Sequence, residues 1–115
     1  MADFDPPDSI TASAISAFRA RLQDRYGSRL VGLILFGSRA RGDYRPDSDA
    51  DVAVFLDDVD HPVAEQMDLA DDAYAVFLDT GVLVQPWVFA GPPLDTATDG
   101  DSPLLAAIRQ DGIVQ

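Results

Sequence analysis

Between residues 10 and 22 the apolar side chains fall at Ile10, Ala14, Ala17, Phe18 and Leu22, the spacing that lines one face of a helix. Ser9 stands where an N-cap hydroxyl belongs and Gly27 where a helix stops, so a first helix is predicted over 9–26. The period then changes. "LVGLILF" (30–36) is an apolar run without polar alternation, the mark of a strand covered on both faces, and "DVAVFL" (51–56) repeats it. A second long helix shows Val63, Met67, Ala70, Tyr74 and Phe77 at helical intervals, an amphipathic stripe that stops near Gly81. "VLVQPWVF" (82–89) is a third strand, and Pro86 inside it predicts an edge position or a bulge. A Gly/Pro/Asp/Thr loop (90–101) precedes a last helix that opens at Ser102-Pro103 and closes at Gly112.

The order helix, strand, short helix, strand, helix, strand, helix predicts an α/β protein of the α+β kind, a small mixed sheet flanked by helices. Its 115 residues, 47 % of them hydrophobic, fill one domain, 1–115, and leave no room for a second.

Charge narrows the function. Nineteen Asp and one Glu face eight Arg with no Lys, a net charge of −12 that repels polyphosphate chains, so no nucleic-acid partner is expected. No stretch reaches the roughly 18 to 20 apolar residues that cross a bilayer, and "MADFDPPDS" is acidic where a secretory signal is basic and then apolar. The absence of cysteine excludes disulfides and thiolate metal sites and agrees with a reducing compartment. These features predict a cytoplasmic protein without membrane contact.

Against that charge, residues 37–51, "GSRARGDYRPDSDAD", gather three of the eight arginines beside the densest cluster of carboxylates. Asp49 and Asp51 are separated by one residue, so at the start of a strand both side chains leave one face, about 7 Å apart along it. Two such carboxylates repel unless a cation lies between them. Hard divalent ions held by a few carboxylates fill their remaining positions with water and phosphate oxygens, which makes Mg²⁺ or Mn²⁺ carrying a nucleoside triphosphate, such as ATP, the natural occupant. Arg39 and Arg41 then have a purpose, because guanidinium forks bind phosphate bidentately, while Arg45 fits a salt bridge to a neighbouring Asp better. Gly37 lets the backbone approach a phosphate, and Ser38 offers a hydroxyl and an N–H at the start of a short helix. "GSRARG" is not a P-loop, which requires a Lys.

These residues also carry a resemblance. An apolar strand ending in Phe, a Gly-Ser pair, ten residues, Asp-x-Asp and a second apolar strand, "FGSRARGDYRPDSDADVAVFL", resemble the minimal nucleotidyltransferases of the DNA polymerase β superfamily. The resemblance implies that Asp49 and Asp51 bind metal and act in catalysis, that the Gly37-Ser38 turn holds the triphosphate, and that a nucleoside monophosphate passes to a hydroxyl. It further implies a partner, since many members are the antitoxin half of a pair with a small helical protein of the HEPN type. Active members carry a third carboxylate on a later strand, where this chain offers Gln85. A glutamine accepts a hydrogen bond but takes no proton and adds no charge.

Two functions therefore compete, a nucleotidyltransferase that modifies a partner protein and a nucleotide-binding module that neutralises a partner by covering it. Transfer to an antibiotic needs a second domain to hold the drug. His61 reads as a loop residue, and Trp87 and Phe89 as core or partner-facing positions.

Overall fold

The computed structural model describes residues 8–91 and 103–115. The acidic lead, most of the 90–101 loop and Ser102 lie outside them. Helix α1 (Ser9–Tyr26) leads through a 3₁₀ turn into β1 (Leu30–Phe36). The one-turn helix α2 (Ser38–Arg41) and strand β2 (Ala50–Leu56) follow, then α3 (Pro62–Thr80), β3 (Val84–Ala90), α4 (Pro103–Asp111) and a two-residue strand β4 (Ile113–Val114).

The sheet runs β3-β2-β1-β4. β1 is antiparallel to both of its neighbours, whereas β2 and β3 are parallel, with α3 as the crossover. The sheet is thus mixed, as the element order predicts, and Pro86 lies on an edge strand as expected. β4 has no precedent in the hydropathy pattern, because two residues are too few to show a period. It exists because Gly112 turns the chain back onto β1: a Cβ there would sit 2.3 Å from the Ile108 carbonyl oxygen and 2.7 Å from Ile34 Cγ2.

Both faces of the sheet are covered, which is why β1 and β2 read as unbroken apolar runs. On one face Phe18 and Leu22 of α1 and Leu69 and Val76 of α3 pack with Leu35, Val52, Val54 and Leu56. On the other, Leu105 and Ile108 of α4 close over Ile34, Phe36, Ala53 and Phe55.

Two local expectations are corrected. The N-cap of α1 is Asp8, whose carboxylate accepts from the Thr11 N–H at 2.9 Å, and not Ser9. In α3 the stripe of Val63, Met67, Tyr74 and Phe77 faces outward, these residues being 75, 65, 59 and 41 % exposed, and the buried residues are Leu69, Asp72, Ala73 and Val76. The reason is Asp72. Arg25 Nε and Arg21 Nε of α1 donate to its carboxylate at 2.8 and 3.1 Å, so a charged residue occupies the middle of the buried face and breaks its apolar signature.

Burial alone would raise the pKa of Asp72, but the hydrogen bonds from Arg25 and Arg21 outweigh it and hold the carboxyl below the usual range. A depressed folded-state pKa stabilises the fold above the ordinary carboxylate value of about 3.9, and that contribution is lost as pH falls through the lower folded value. Asp72→Asn is expected to cost about 1–3 kcal/mol at neutral pH, because it leaves two arginine donors poorly matched, and to shrink the gap to wild type in acid. Urea unfolding at pH 7 and at pH 3 checks both parts.

Candidate active site

The site is built where β1 ends and β2 begins. Asp51 is the second residue of β2, paired with Phe36 of β1 on one side and with Gln85 of β3 on the other. Gly37, immediately after Phe36, has φ 78°, a left-handed conformation that disfavours any side chain, and a Cβ there would lie 2.5 Å from Asp51 Oδ2. The Asp51 carboxylate therefore rests against the bare backbone of the Gly-Ser turn. Burial pushes its pKa up, the Trp87 side chain opposes this through a hydrogen bond, the charge of Asp49 raises it further, and Arg41 lowers it.

Asp49 is exposed and stands one residue ahead of β2 rather than within it. Its position is fixed from both sides: the Ala50 N–H donates to the Leu83 carbonyl at 2.8 Å, and Arg39 Nε donates to the Ser48 carbonyl at 2.8 Å. Asp49 thus stands on a pinned loop end directly before the strand that carries Asp51, near enough for its charge to act on that carboxylate.

The arginines separate into two roles. Arg39, assigned from the sequence to phosphate, is 3 % exposed and committed to the protein itself. Besides Ser48 it donates to Thr11 Oγ1 at 2.9 Å and to the Pro46 carbonyl at 3.3 Å, and its guanidinium lies 4.5 Å from the centre of the Tyr44 ring. The structure uses Arg39 as a clamp that ties the 42–49 loop to α1, because a buried guanidinium must fill its donors. Arg41 is about half exposed and pairs with Asp43 at 3.2 Å and with Asp111, at the end of α4, at 2.8 Å. Ser38 is half-buried at the start of α2.

Sequence reasoning missed Asp111, Thr11 and the Asp51 contact of Trp87. Asp111 reaches the site only because α4 packs over the sheet, and no spacing along the chain announces that. Thr11 fits α1 without comment, although a fully buried threonine is itself a sign of a polar partner. Trp87 occupies the same face of β3 as Gln85, two residues on, and alternation alone could have placed it there.

The donor set fits a hard divalent cation. Asp49 and Asp51 offer oxygen ligands only, burial and the nearby Asp49 charge both disfavour a bare Asp51 carboxylate, and among the described residues no third carboxylate or imidazole completes a metal cage. An ion held by these two groups has positions left for water and phosphate oxygens. Gly37→Ala is expected to displace Asp51 and strain the turn, costing about 1–3 kcal/mol of stability and weakening cation binding with it. Thermal unfolding with and without Mn²⁺ measures the two effects separately.

A mixed sheet with helices on both faces and a Gly-Ser turn beside an Asp-x-Asp pair defines a nucleotide-transferring domain. The chain belongs to the nucleotidyltransferase domain family, whose sequence profile matches residues 15–87. A candidate protein adenylyltransferase of Methanocaldococcus jannaschii is 47 % identical over 47 residues, 41 % of this chain and 46 % of that protein, so the chain spans about half the length of the curated relative it matches. Among solved structures, a variant of the MntA–HpeT toxin–antitoxin pair matches with a TM-score of 0.54 at 20 % identity. A toxin–antitoxin structure with AMP-PNP matches with 0.53 at 22 %. Each match covers 84 % of this chain and 68 % of the other. At these identities the likeness is one of fold, and it agrees with the polymerase β-type nucleotidyltransferase core that the motif implies.

Proposed function

We propose that this domain transfers AMP from ATP to a hydroxyl of a partner protein, with Mg²⁺ or Mn²⁺ held by Asp49 and Asp51, and that it serves as the antitoxin of a pair whose toxin is a helical protein of the HEPN type. The observation that carries the reading is the Asp51 carboxylate packed on the Gly37 backbone with Asp49 beside it, one residue outside the strand. The names of the relatives support it. The archaeal relative is named for protein adenylyl transfer, and one of the solved pairs holds a non-hydrolysable ATP analogue. A further solved form of the MntA–HpeT pair has two aspartates, two positions apart, replaced by glutamate.

In this reading the partner's hydroxyl oxygen bonds to the α-phosphorus, the bond to the bridging oxygen breaks, pyrophosphate leaves and the hydroxyl proton passes to water. The cation, when bound, supplies charge neutralisation to the triphosphate. The chain's own part is positioning, which carries most of the catalysis of phosphoryl transfer. Asp49 and Asp51 hold the cation, the Gly37-Ser38 turn brings a hydroxyl and backbone N–H groups to the phosphates, and Arg41 exchanges its exposed pair with Asp43 for phosphate oxygens. Arg39 contributes by holding the loop that presents Asp49.

A second reading rests on Gln85. Gln85 is the register partner of Asp51 and offers an amide and not a carboxylate, so in this reading the domain binds nucleotide and neutralises its partner by covering it. General-base help is worth about 10² to 10⁴ in rate, and Gln85→Asp is expected to strengthen Mn²⁺ binding and speed transfer within that range. Incubating the protein, co-expressed with a helical partner, with α-labelled ATP and Mg²⁺ separates the two readings. Label on the partner supports transfer, and an unlabelled partner in a stable complex supports the binding module.

A further inference from the structure

The outward stripe of α3 does not end at the helix. Together with the edge of β3 it walls an apolar groove of about 610 Å³, lined among others by Val63, Met67, Ala70, Leu83 and Pro86. Tyr74 and Phe77 extend the stripe as a stacked pair with ring centroids 6.4 Å apart, and Leu78 beside them is 65 % exposed. A contiguous run of large apolar side chains in water is costly for a lone domain and marks a binding surface.

Three features on this face say what covers it. The first is the sheet edge. An extended peptide would add to β3 through outward backbone groups, but Gln66 has taken them: its Nε2 donates to the Pro86 carbonyl at 2.6 Å and its Oε1 accepts from the Val88 N–H at 3.3 Å. Pro86 itself has no N–H to give. Strand addition is blocked, so the occupant packs through side chains, as a helix laid in a groove does. The second is charge. Asp60 and Asp71 flank the stripe, are exposed and enter no ion pair among the described residues, whereas Asp68 and Glu65 on the far side of α3 are paired with Arg25 and Arg29. Unpaired carboxylates around an apolar strip favour a partner with arginine or lysine at its margins. The third is net charge. A second copy would bring another −12 against the first, so self-association through this face is opposed by the charge that attracts a basic helix.

We infer that the α3–β3 groove is the docking surface for an amphipathic helix of a different protein, with an apolar face seated against Met67, Tyr74 and Leu83 and basic residues toward Asp60 and Asp71. The inference deepens the partner half of the proposed function and uses nothing of the nucleotide half. The groove lies on the α3 face of the sheet, the face opposite Asp51, so a helix held there leaves the proposed site of transfer uncovered.

The test uses two labelled 18-residue helical peptides with the same leucine face, one flanked by arginine and one by glutamate, titrated into the protein and followed by fluorescence anisotropy. The arginine peptide is expected to bind about tenfold or more tightly than the glutamate peptide, and the double variant Met67→Glu, Tyr74→Glu to lose at least about tenfold of that affinity. Both substituted side chains are exposed, so the variant keeps its core, and its response to Mg²⁺·ATP is expected to be that of wild type. The added glutamates make the direction decisive: if attraction were charge alone, the variant would bind the arginine peptide as well as or better than wild type, and that result overturns the proposal. Equal binding of the two peptides also overturns it, as does a dimer of the protein alone in sedimentation velocity that the double variant dissolves, which would assign the groove to a second copy. A failure of these measurements with a normal nucleotide response would reject the groove and leave the nucleotide reading standing.

Discussion

Arg39→Ala lowers the stability of the folded protein by about 3–5 kcal/mol, the loss expected when a buried charge-assisted network is emptied. The guanidinium fills three protein acceptors at once, the Ser48 and Pro46 carbonyls and Thr11 Oγ1, none of which has another donor placed to replace it in the described contacts. It also lies against the Tyr44 ring, close to the Asp8 carboxylate that caps α1. Arg39→Lys should recover little, because an ammonium is a point charge and cannot span three acceptors held in a plane. At about 4–8 °C per kcal/mol for a domain of this size, the alanine variant should melt at least about 10 °C below wild type. Arg41→Ala, by contrast, removes exposed ion pairs and should leave the melting temperature nearly unchanged. A phosphate-facing Arg39 would give the opposite pattern, a normal melting temperature with weakened nucleotide binding.

That contrast shows where sequence reading reached its limit. The Gly-Ser turn, the Asp-x-Asp pair and the two buried strands are written locally, within residues 30–56, and the structure sets Gly37 against Asp51 with Asp49 one residue before the strand. Arg39 and Arg41 are chemically identical in that stretch. What separates them is the direction of each side chain from a one-turn helix, and that depends on Thr11, 28 positions earlier, and on Asp111, 70 positions later. Helix α3 fails for a related reason. Its periodicity is visible, but a hydrophobic stripe marks a face that avoids water, and a partner satisfies that as well as a core does. With Asp72 bound to two arginines of α1, the residues that pack inside are partly polar and small, and the larger apolar residues are left outside. Strand β4 escapes because pairing over Ile113 and Val114 is decided by β1 alone.

The second large effect concerns the carboxylates. The Asp49→Ala, Asp51→Ala double variant should lose Mg²⁺-dependent ATP binding by about a hundredfold or more, equal to about 2.7 kcal/mol, because the cation that reconciles the triphosphate with an acidic protein has nowhere to sit. Its fold should survive and gain slightly in stability, since burial raises the Asp51 pKa and its charge therefore costs the folded state free energy at neutral pH. The sign follows from linkage: a raised folded-state pKa means that the native protein binds this proton more tightly than the unfolded chain, so the cost is present above that pKa and vanishes as pH falls through it. In the wild type, cation binding should fade over the same range, because a protonated Asp51 is a poor ligand.

Trp87 gives direct access to this site. It is the only tryptophan in the chain, and its side chain stands close enough to Asp51 to favour the charged carboxylate. Titrating ATP into the protein while following tryptophan emission, with Mg²⁺ or with a chelator, reads the occupation of the carboxylates without requiring turnover or a partner. A saturable change in Trp87 emission that needs both ATP and the divalent ion, and that is absent from the Asp49→Ala, Asp51→Ala variant, is the expected result. An ATP response that persists undiminished in the chelator or in the double variant would contradict the assignment of this site.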